Sequence, residues 1–439
     1  MNSGDKAILG IVIATACLLA AASLASAHRN RCGFPTLVDV FLLMMFLYHC
    51  IGEAVLFVFG RENSYYADIA SIDHLIEWSC LVGASALNIS IGATLAGFLI
   101  RASHLKPAAK SQPIFAWNNS LTFLAVSIFV GWFGLLFIRF NLSAEQRNWF
   151  MSLLAQLLPA MILVASIELS IKYGHVARTG LLSILLLLVF DSRMLVGAFC
   201  IIFASVLNRL RGFRMGLAFN FLISCFIILI LILLIRPIVR SGTNDENWIE
   251  KFRQYQSSES SEFSGSTIKS WSLRIDGNSF GTAIAARQET GFDSIGPEVL
   301  IHTIKSLVPS VIWPEKLDRP LVERNQEEFL IAHYGLPSAD YIPTLLGSTL
   351  AIGGLSFTLL AAMVTGLVIG AFDLIVDLRK PLSRACWILG CFIIIVAYEG
   401  TVESVILLAG LMLVIYLFLA FAFYRGTHHL SICPREART

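Results

Sequence analysis

Apolar runs long enough to cross a membrane recur from one end of this 439-residue chain to the other, and that feature leaves few folds open. Crossing a hydrocarbon core of about 30 Å takes roughly twenty residues of helix. Ala7 to Ala22, Thr36 to Phe59, Leu75 to Ile100, Ser120 to Ile138, Trp149 to Ile171 and Leu217 to Ile235 meet that requirement in the first half of the chain. Tyr341 to Ala371, Ala385 to Ala397 and Val402 to Tyr424 follow in the last hundred residues. Backbone polar groups inside a bilayer must find partners within the chain, so runs of this kind are read as helices. A mean hydropathy of +0.74 with only 14% charged residues agrees, placing the chain outside the soluble globular range. The expected fold is an all-α polytopic membrane protein of about eleven transmembrane helices.

Basic clusters set the expected topology, because Lys and Arg favour the cytoplasmic side. Arg29/Arg31, Arg101/Lys106/Lys110 and Lys172/Arg178 fall on one side, and the acidic Glu62/Asp68/Asp73 segment on the other, which puts the N-terminus outside. Ala25-Ser26-Ala27 after the first run has the form of a signal-peptidase site, but Arg29 and Arg31 behind it favour a retained helix. The run from Gly180 to Leu207 is interrupted by Asp191-Ser192-Arg193. As two short helices turning there, it keeps Arg209, Arg211 and Arg214 inside and sends the next helix outward.

What then emerges is the most polar part of the chain, Pro237 to Ile342, with ten Lys and Arg against fifteen Asp and Glu. Three domains result: N-terminal helices over 1–236, a large periplasmic loop over 237–342, and C-terminal helices with a cytoplasmic tail over 343–439. None of the nine Cys lies in the loop, so its folding does not rest on disulfides. Thr243 to Ser270 is Ser-rich and polar. Beyond it, Ser272 to Gln288 is helix-compatible. Pro297 to Val308 carries Val299, Leu300, Ile304 and Leu307 at helical spacing, as a helix lying on a membrane surface does, and Val322 to Tyr334 stops at Gly335.

Several charged residues are candidates for chemistry. Arg193, beside a helix break in the membrane, needs an anion, supplied either by Asp191 or by a phosphate. Arg274 and Arg287 flank the first loop helix, each with a carboxylate two residues on, Asp276 and Glu289, so surface ion pairs and ligand binding are both open. His302 is either a general base or an interfacial side chain. His49 and Glu53 share a helix face at i, i+4 and read as a buried polar pair, since no third metal ligand can be placed. Walker A, GxSxG, HExxH and strand-linked GxGxxG motifs are missing from the sequence, so nucleotide-driven transport and hydrolase chemistry have no support. A net charge of +2, scattered in topological clusters, gives no indication of a nucleic-acid partner.

From Leu181 to Leu355 the order of features resembles the Wzy-type polymerases of oligosaccharide (O-antigen) repeat units. The resemblance rests on Ser192-Arg193 between short helices, then a large loop opening with Ser272-Leu273-Arg274-Ile275. It continues through Pro309-x-x-Ile312-Trp313-Pro314-x-Lys316, Glu328-Phe329 to Tyr334-Gly335, and a small-residue re-entry at Leu346-Gly347 and Gly353-Gly354. Family members often carry Glu after the Gly of the re-entry, whereas Gly347 is followed here by Ser348 and Thr349, so no acidic role carries over to that position.

The resemblance implies a bacterial inner-membrane enzyme with its active site facing the periplasm. Its donor is a glycan on undecaprenyl diphosphate and its acceptor a lipid-linked repeat unit, whose hydroxyl attacks the donor's anomeric carbon. A chain-length regulator and a flippase are possible partners, and no metal or other cofactor is implied. Arg193, Arg274 and Arg287 are then the expected counter-ions of the diphosphate. Asp276, Glu289 and His302 are candidate bases, and Lys316, Arg319 and Arg324 further substrate contacts. An O-antigen ligase, which transfers the same donor to lipid A-core, and a polysaccharide or lipid transporter remain alternatives.

Overall fold

The computed structural model describes residues 3–32, 35–59, 72–102, 276–306, 326–337, 343–378, 381–398 and 400–406, with isolated positions besides. Among the described residues all regular structure is helical, and four helices are long and apolar enough to cross a membrane. The protein is therefore a helical membrane protein. The runs expected between Ser120 and Ile235, including the short pair at Asp191 to Arg193, fall almost wholly outside the described residues, and so does the Ser-rich segment.

The elements are α1 (Ser3–Leu24), α2 (Ser26–Cys32), α3 (Leu37–Met45), α4 (Gly52–Phe59), α5 (Ile72–Ala102), α6 (Ser279–Glu289), α7 (Glu298–Ser306), α8 (Gln326–His333), α9 (Leu345–Ile375) and α10 (Pro381–Ala397). A π-helical turn, Phe46–Ile51, joins α3 to α4 within one membrane span. The chain forms two compact units, and α1 to α9 belong to the first except at the last residue of α9. Most of α10 lies in the second, where Trp387, Ile388 and Cys391 are buried and Arg384 Nη1 donates to Leu378 O at 2.8 Å.

Small residues bring the long helices of the first unit together. Gly10 faces Ser79 and Gly83 faces Cys17, so α1 and α5 run parallel at close range, and Lys6 meets Asp73 at 2.6 Å at their starts. The second part of α9 also runs parallel to α5. A Cβ on Gly366 would stand 2.0 Å from Ile89 O, and one on Gly370 2.6 Å from Ala93 Cα. Thr358, Ala362, Gly366 and Gly370 thus form a buried i, i+4 stripe, the small-xxx-small pattern that lets membrane helices approach without a hydrophobic driving force.

In the first turn of α2, His28 Nε2 lies 3.4 Å from Asp373 Oδ2, which also accepts from Leu37 N at 2.8 Å. Thr36 and Asp39 form a capping box that starts α3.

Two membrane helices depart from regular geometry. One departure is the π turn at Phe46–Ile51. The other is a break in α9 at Gly353 (φ −142°, ψ 15°) and Gly354 (φ 68°, ψ −165°), the latter a conformation open essentially to glycine alone. It leaves a buried eight-residue half-helix, 345–352, ahead of a spanning stretch of about 31 Å. Both departures face the polar loop.

Candidate functional site

The first loop helix begins later than its sequence suggests. Asp276-Gly277-Asn278 forms a turn, and α6 starts at Ser279 rather than near Ser272. Asp276 Oδ1 accepts from the backbone N–H groups of Asn278 and Ser279, at 3.1 and 3.0 Å, and its other oxygen accepts from the Ser279 hydroxyl. This carboxylate, 4% exposed, holds a turn.

The turn delivers Asn278 into the membrane helices. His49 lies about 14 Å along its helix from Val58, a depth at which polar groups need protein partners. Asn278 supplies them. Its Oδ1 accepts from Trp78 Nε1 at 2.9 Å and His49 Nδ1 at 2.8 Å, while Nδ2 donates to His49 O at 2.9 Å and Glu53 Oε2 at 3.1 Å. An indole can only donate and a carboxylate or carbonyl can only accept, which fixes the orientation of the amide. Nδ1 of His49 therefore carries the proton, and Nε2 accepts from the Tyr398 hydroxyl at 2.8 Å.

The expected buried pair of His49 and Glu53 exists, but it is joined through a loop residue instead of directly. Gly281 makes this possible, since a Cβ there would lie 2.3 Å from the Trp78 ring.

The other end of α6 meets the break in α9. A broken helix exposes carbonyls that need donors, and three of them find donors in the loop. Leu350 O accepts from Gln288 Nε2 at 3.1 Å, Ala351 O from Tyr334 Oη at 2.8 Å and Ile295 N at 3.1 Å, and Ile352 O from Gly296 N at 2.8 Å. Tyr334 Oη also accepts from Gln288 Nε2 at 3.2 Å. Burial pushes the Tyr334 phenol above the ordinary tyrosine value, the bond from Gln288 works the other way, and the charge of Asp293 adds to the rise. The phenol stays protonated and donates.

Arg287 lies beside this cap. Nη2 donates to Gly335 O at 3.2 Å, the guanidinium stacks over Phe292 at 5.5 Å, and Nε is buried with no hydrogen-bond partner among the described residues. Glu289, the carboxylate two residues away, turns instead to His74 Nε2 at 2.9 Å. Arg287 therefore has no carboxylate partner among the described residues, and the ion-pair reading of the Arg287/Glu289 doublet does not hold. His302 lies on α7, whose Val299 and Thr303 are buried while Ile301 is 54% exposed. Arg193, Arg274, Lys316, Arg319 and Arg324 lie outside the described residues.

Two residues that sequence reasoning missed face each other near the start of the half-helix. Gln326 N donates to Glu403 Oε2 at 2.7 Å, Glu403 N donates to Gln326 Oε1 at 2.8 Å, and Val402 N donates to Ser348 Oγ at 3.2 Å. The available signal was slight, since a glutamate at the second position of an apolar run stands in the first turn of a helix, where an acidic residue is ordinary.

These features define a polytopic helical membrane protein in which a polar segment is locked into the apolar helices. No family model matches the chain, and no solved structure matches it with significance.

Proposed function

We propose that the protein polymerises lipid-diphosphate-linked oligosaccharide repeat units into O-antigen or a similar surface polysaccharide. It acts from the bacterial inner membrane, with the loop on the periplasmic face. One observation carries this reading. Arg287, Tyr334-Gly335 and the Gly353-Gly354 break are far apart in sequence yet converge on one spot, and all three belong to the pattern shared with Wzy-type polymerases or to the site expected from it. A guanidinium with no carboxylate partner among the described residues, at the seam between a polar segment and a broken membrane helix, suits a lipid diphosphate. Such a ligand puts its anion at the surface and its tail in the bilayer. During transfer the diphosphate leaves the anomeric carbon carrying extra charge, which Arg287 offsets by charge-assisted hydrogen bonds.

The experiment is a gel of surface polysaccharide from wild type, a deletion strain, and the deletion complemented with Arg287→Ala. Collapse of the ladder to a single repeat unit in both mutant lanes supports the reading. Loss of all capped core, with long chains retained on the lipid carrier, identifies a ligase instead. An unchanged ladder in the deletion strain refutes polymerisation of that glycan.

A further inference from the structure

The Gln326–Glu403 pair has a structural explanation that is incomplete. Each side chain accepts the backbone N–H of the other at the start of a helix, as caps do. Capping accounts for Gln326 Oε1 and Glu403 Oε2. It leaves Gln326 Nε2, on a side chain 1% exposed, buried with no partner among the described residues, and an orphaned buried donor of this kind is destabilising unless something else accepts from it. The arrangement therefore presents an unsatisfied amide donor beside a carboxylate, next to the buried hydroxyl of Ser348. Adjacent donor and acceptor groups are what a sugar's neighbouring hydroxyls pair with, since each hydroxyl both donates and accepts.

Position adds a second argument. α8 carries Gln326 at its first residue and leads to Gly335, whose carbonyl holds Arg287. Eight helical residues span about 12 Å, so the carboxylate and the guanidinium are tethered to opposite ends of a short rod. A diphosphate at one end and the sugar hydroxyl that displaces it at the other fill a gap of that order.

We infer that Glu403 and Gln326 form the acceptor subsite of the proposed transfer, with Glu403 as the general base. Gln326 Nε2 donates to an oxygen of the incoming sugar, and Glu403 takes the proton from the attacking hydroxyl. The hydroxyl oxygen forms the new bond to the anomeric carbon. The bond from that carbon to the diphosphate oxygen breaks, its electron pair leaves with the diphosphate at Arg287, and the proton remains on Glu403. This inference rests on the proposed function and supplies the base for which the sequence offered only Asp276, Glu289 and His302.

The test uses the full-length protein in detergent with a lipid-diphosphate-linked oligosaccharide as both donor and acceptor. Glu403→Gln keeps the acceptor for Gln326 N but cannot take a proton. The expected result is a fall in kcat of about a hundredfold or more, with loss of the acid limb of the pH profile and an unchanged unfolding midpoint. A kcat within threefold of wild type overturns the inference and leaves the proposed function standing. If wild type itself forms no chains, both fall together. Should Glu403→Gln fail to fold, Gln326→Ala decides, with a soluble oligosaccharide of the same repeat supplied as a separate acceptor at a fixed concentration of the lipid-linked donor: a rise in the KM for that acceptor of fivefold or more with kcat changed less supports the subsite, and an unchanged KM overturns it.

Discussion

Replacing Asn278 with Ala tests whether the loop is part of the membrane domain or only tethered to it. The substitution removes four hydrogen bonds of 2.8 to 3.1 Å and leaves Trp78 Nε1, His49 Nδ1, His49 O and Glu53 Oε2 without that partner. Hydrogen bonds inside membrane proteins average about 0.6 kcal/mol each in double-mutant cycles, which gives a floor of about 2.4 kcal/mol. A ceiling of about 6 kcal/mol follows if each buried group bears about 1.5 kcal/mol of uncompensated desolvation.

The assay is the midpoint of SDS-induced unfolding in mixed micelles, followed by circular dichroism. Asn278→Asp sharpens the test, because it preserves shape and both acceptor contacts while setting an oxygen about 3 Å from Glu53 Oε2. Two carboxylates that close cannot both ionise, so the folded pair holds a proton that the unfolded chain releases above about pH 4. The folded state then binds more protons, and stability of this variant falls more steeply than that of wild type as pH rises above about 4. An Ala variant within about 0.5 kcal/mol of wild type, well under the floor, refutes the reasoning. So does an Asp variant with the wild-type pH dependence.

Two further outcomes follow from the loop and the helix seam. Tyr334→Phe removes the donor to Ala351 O, at a cost of about 1 kcal/mol. Because the folded phenol titrates above its unfolded value, its contribution is fully present below about pH 10 and is lost as pH rises toward the folded value. Wild type should therefore lose more stability at alkaline pH than the Phe variant does, read by unfolding midpoints between pH 8 and pH 11. Gly366→Leu drives a side chain into Ile89 O, which would lie 2.0 Å from its Cβ, and no rotamer relieves a clash that begins at Cβ. The expected result is loss of monodisperse protein on gel filtration, and a wild-type elution profile with normal yield would contradict the seam between α5 and α9.

Much of the fold was legible because membrane helices announce themselves by length and apolarity. Ala7 to Ala22, Thr36 to Phe59, Leu75 to Ile100 and Tyr341 to Ala371 match the four candidate spans closely, and Gly335 ends α8 as expected, with φ at +57°. The candidate site was far less legible. The i, i+4 spacing singled out His49 and Glu53, but nothing local indicates that their partner lies 225 residues later in Asn278. Asp276 and Glu289 looked alike as carboxylates following an arginine, yet one closes a turn and the other meets His74. Glu403 stands at the edge of an apolar run and its partner Gln326 carries no charge, 77 residues away, so neither marks the other in the sequence.

The two irregular helices and the loop explain one another. A π turn and a glycine break both expose carbonyls inside an apolar domain, where each unsatisfied group costs several kcal/mol. Tyr48 O and His49 O at the first, and Leu350 O, Ala351 O and Ile352 O at the second, all accept from loop donors. α6 connects the two places, with Asn278 at its start and Gln288 near its end. The helix distortions therefore persist because the loop satisfies them, and the loop is held because the distortions present acceptors. A tethered soluble domain would not behave this way, since it could be removed without leaving the membrane helices unsatisfied. Here the polar segment completes the membrane fold, and any chemistry at Arg287 takes place on a scaffold fixed from both ends.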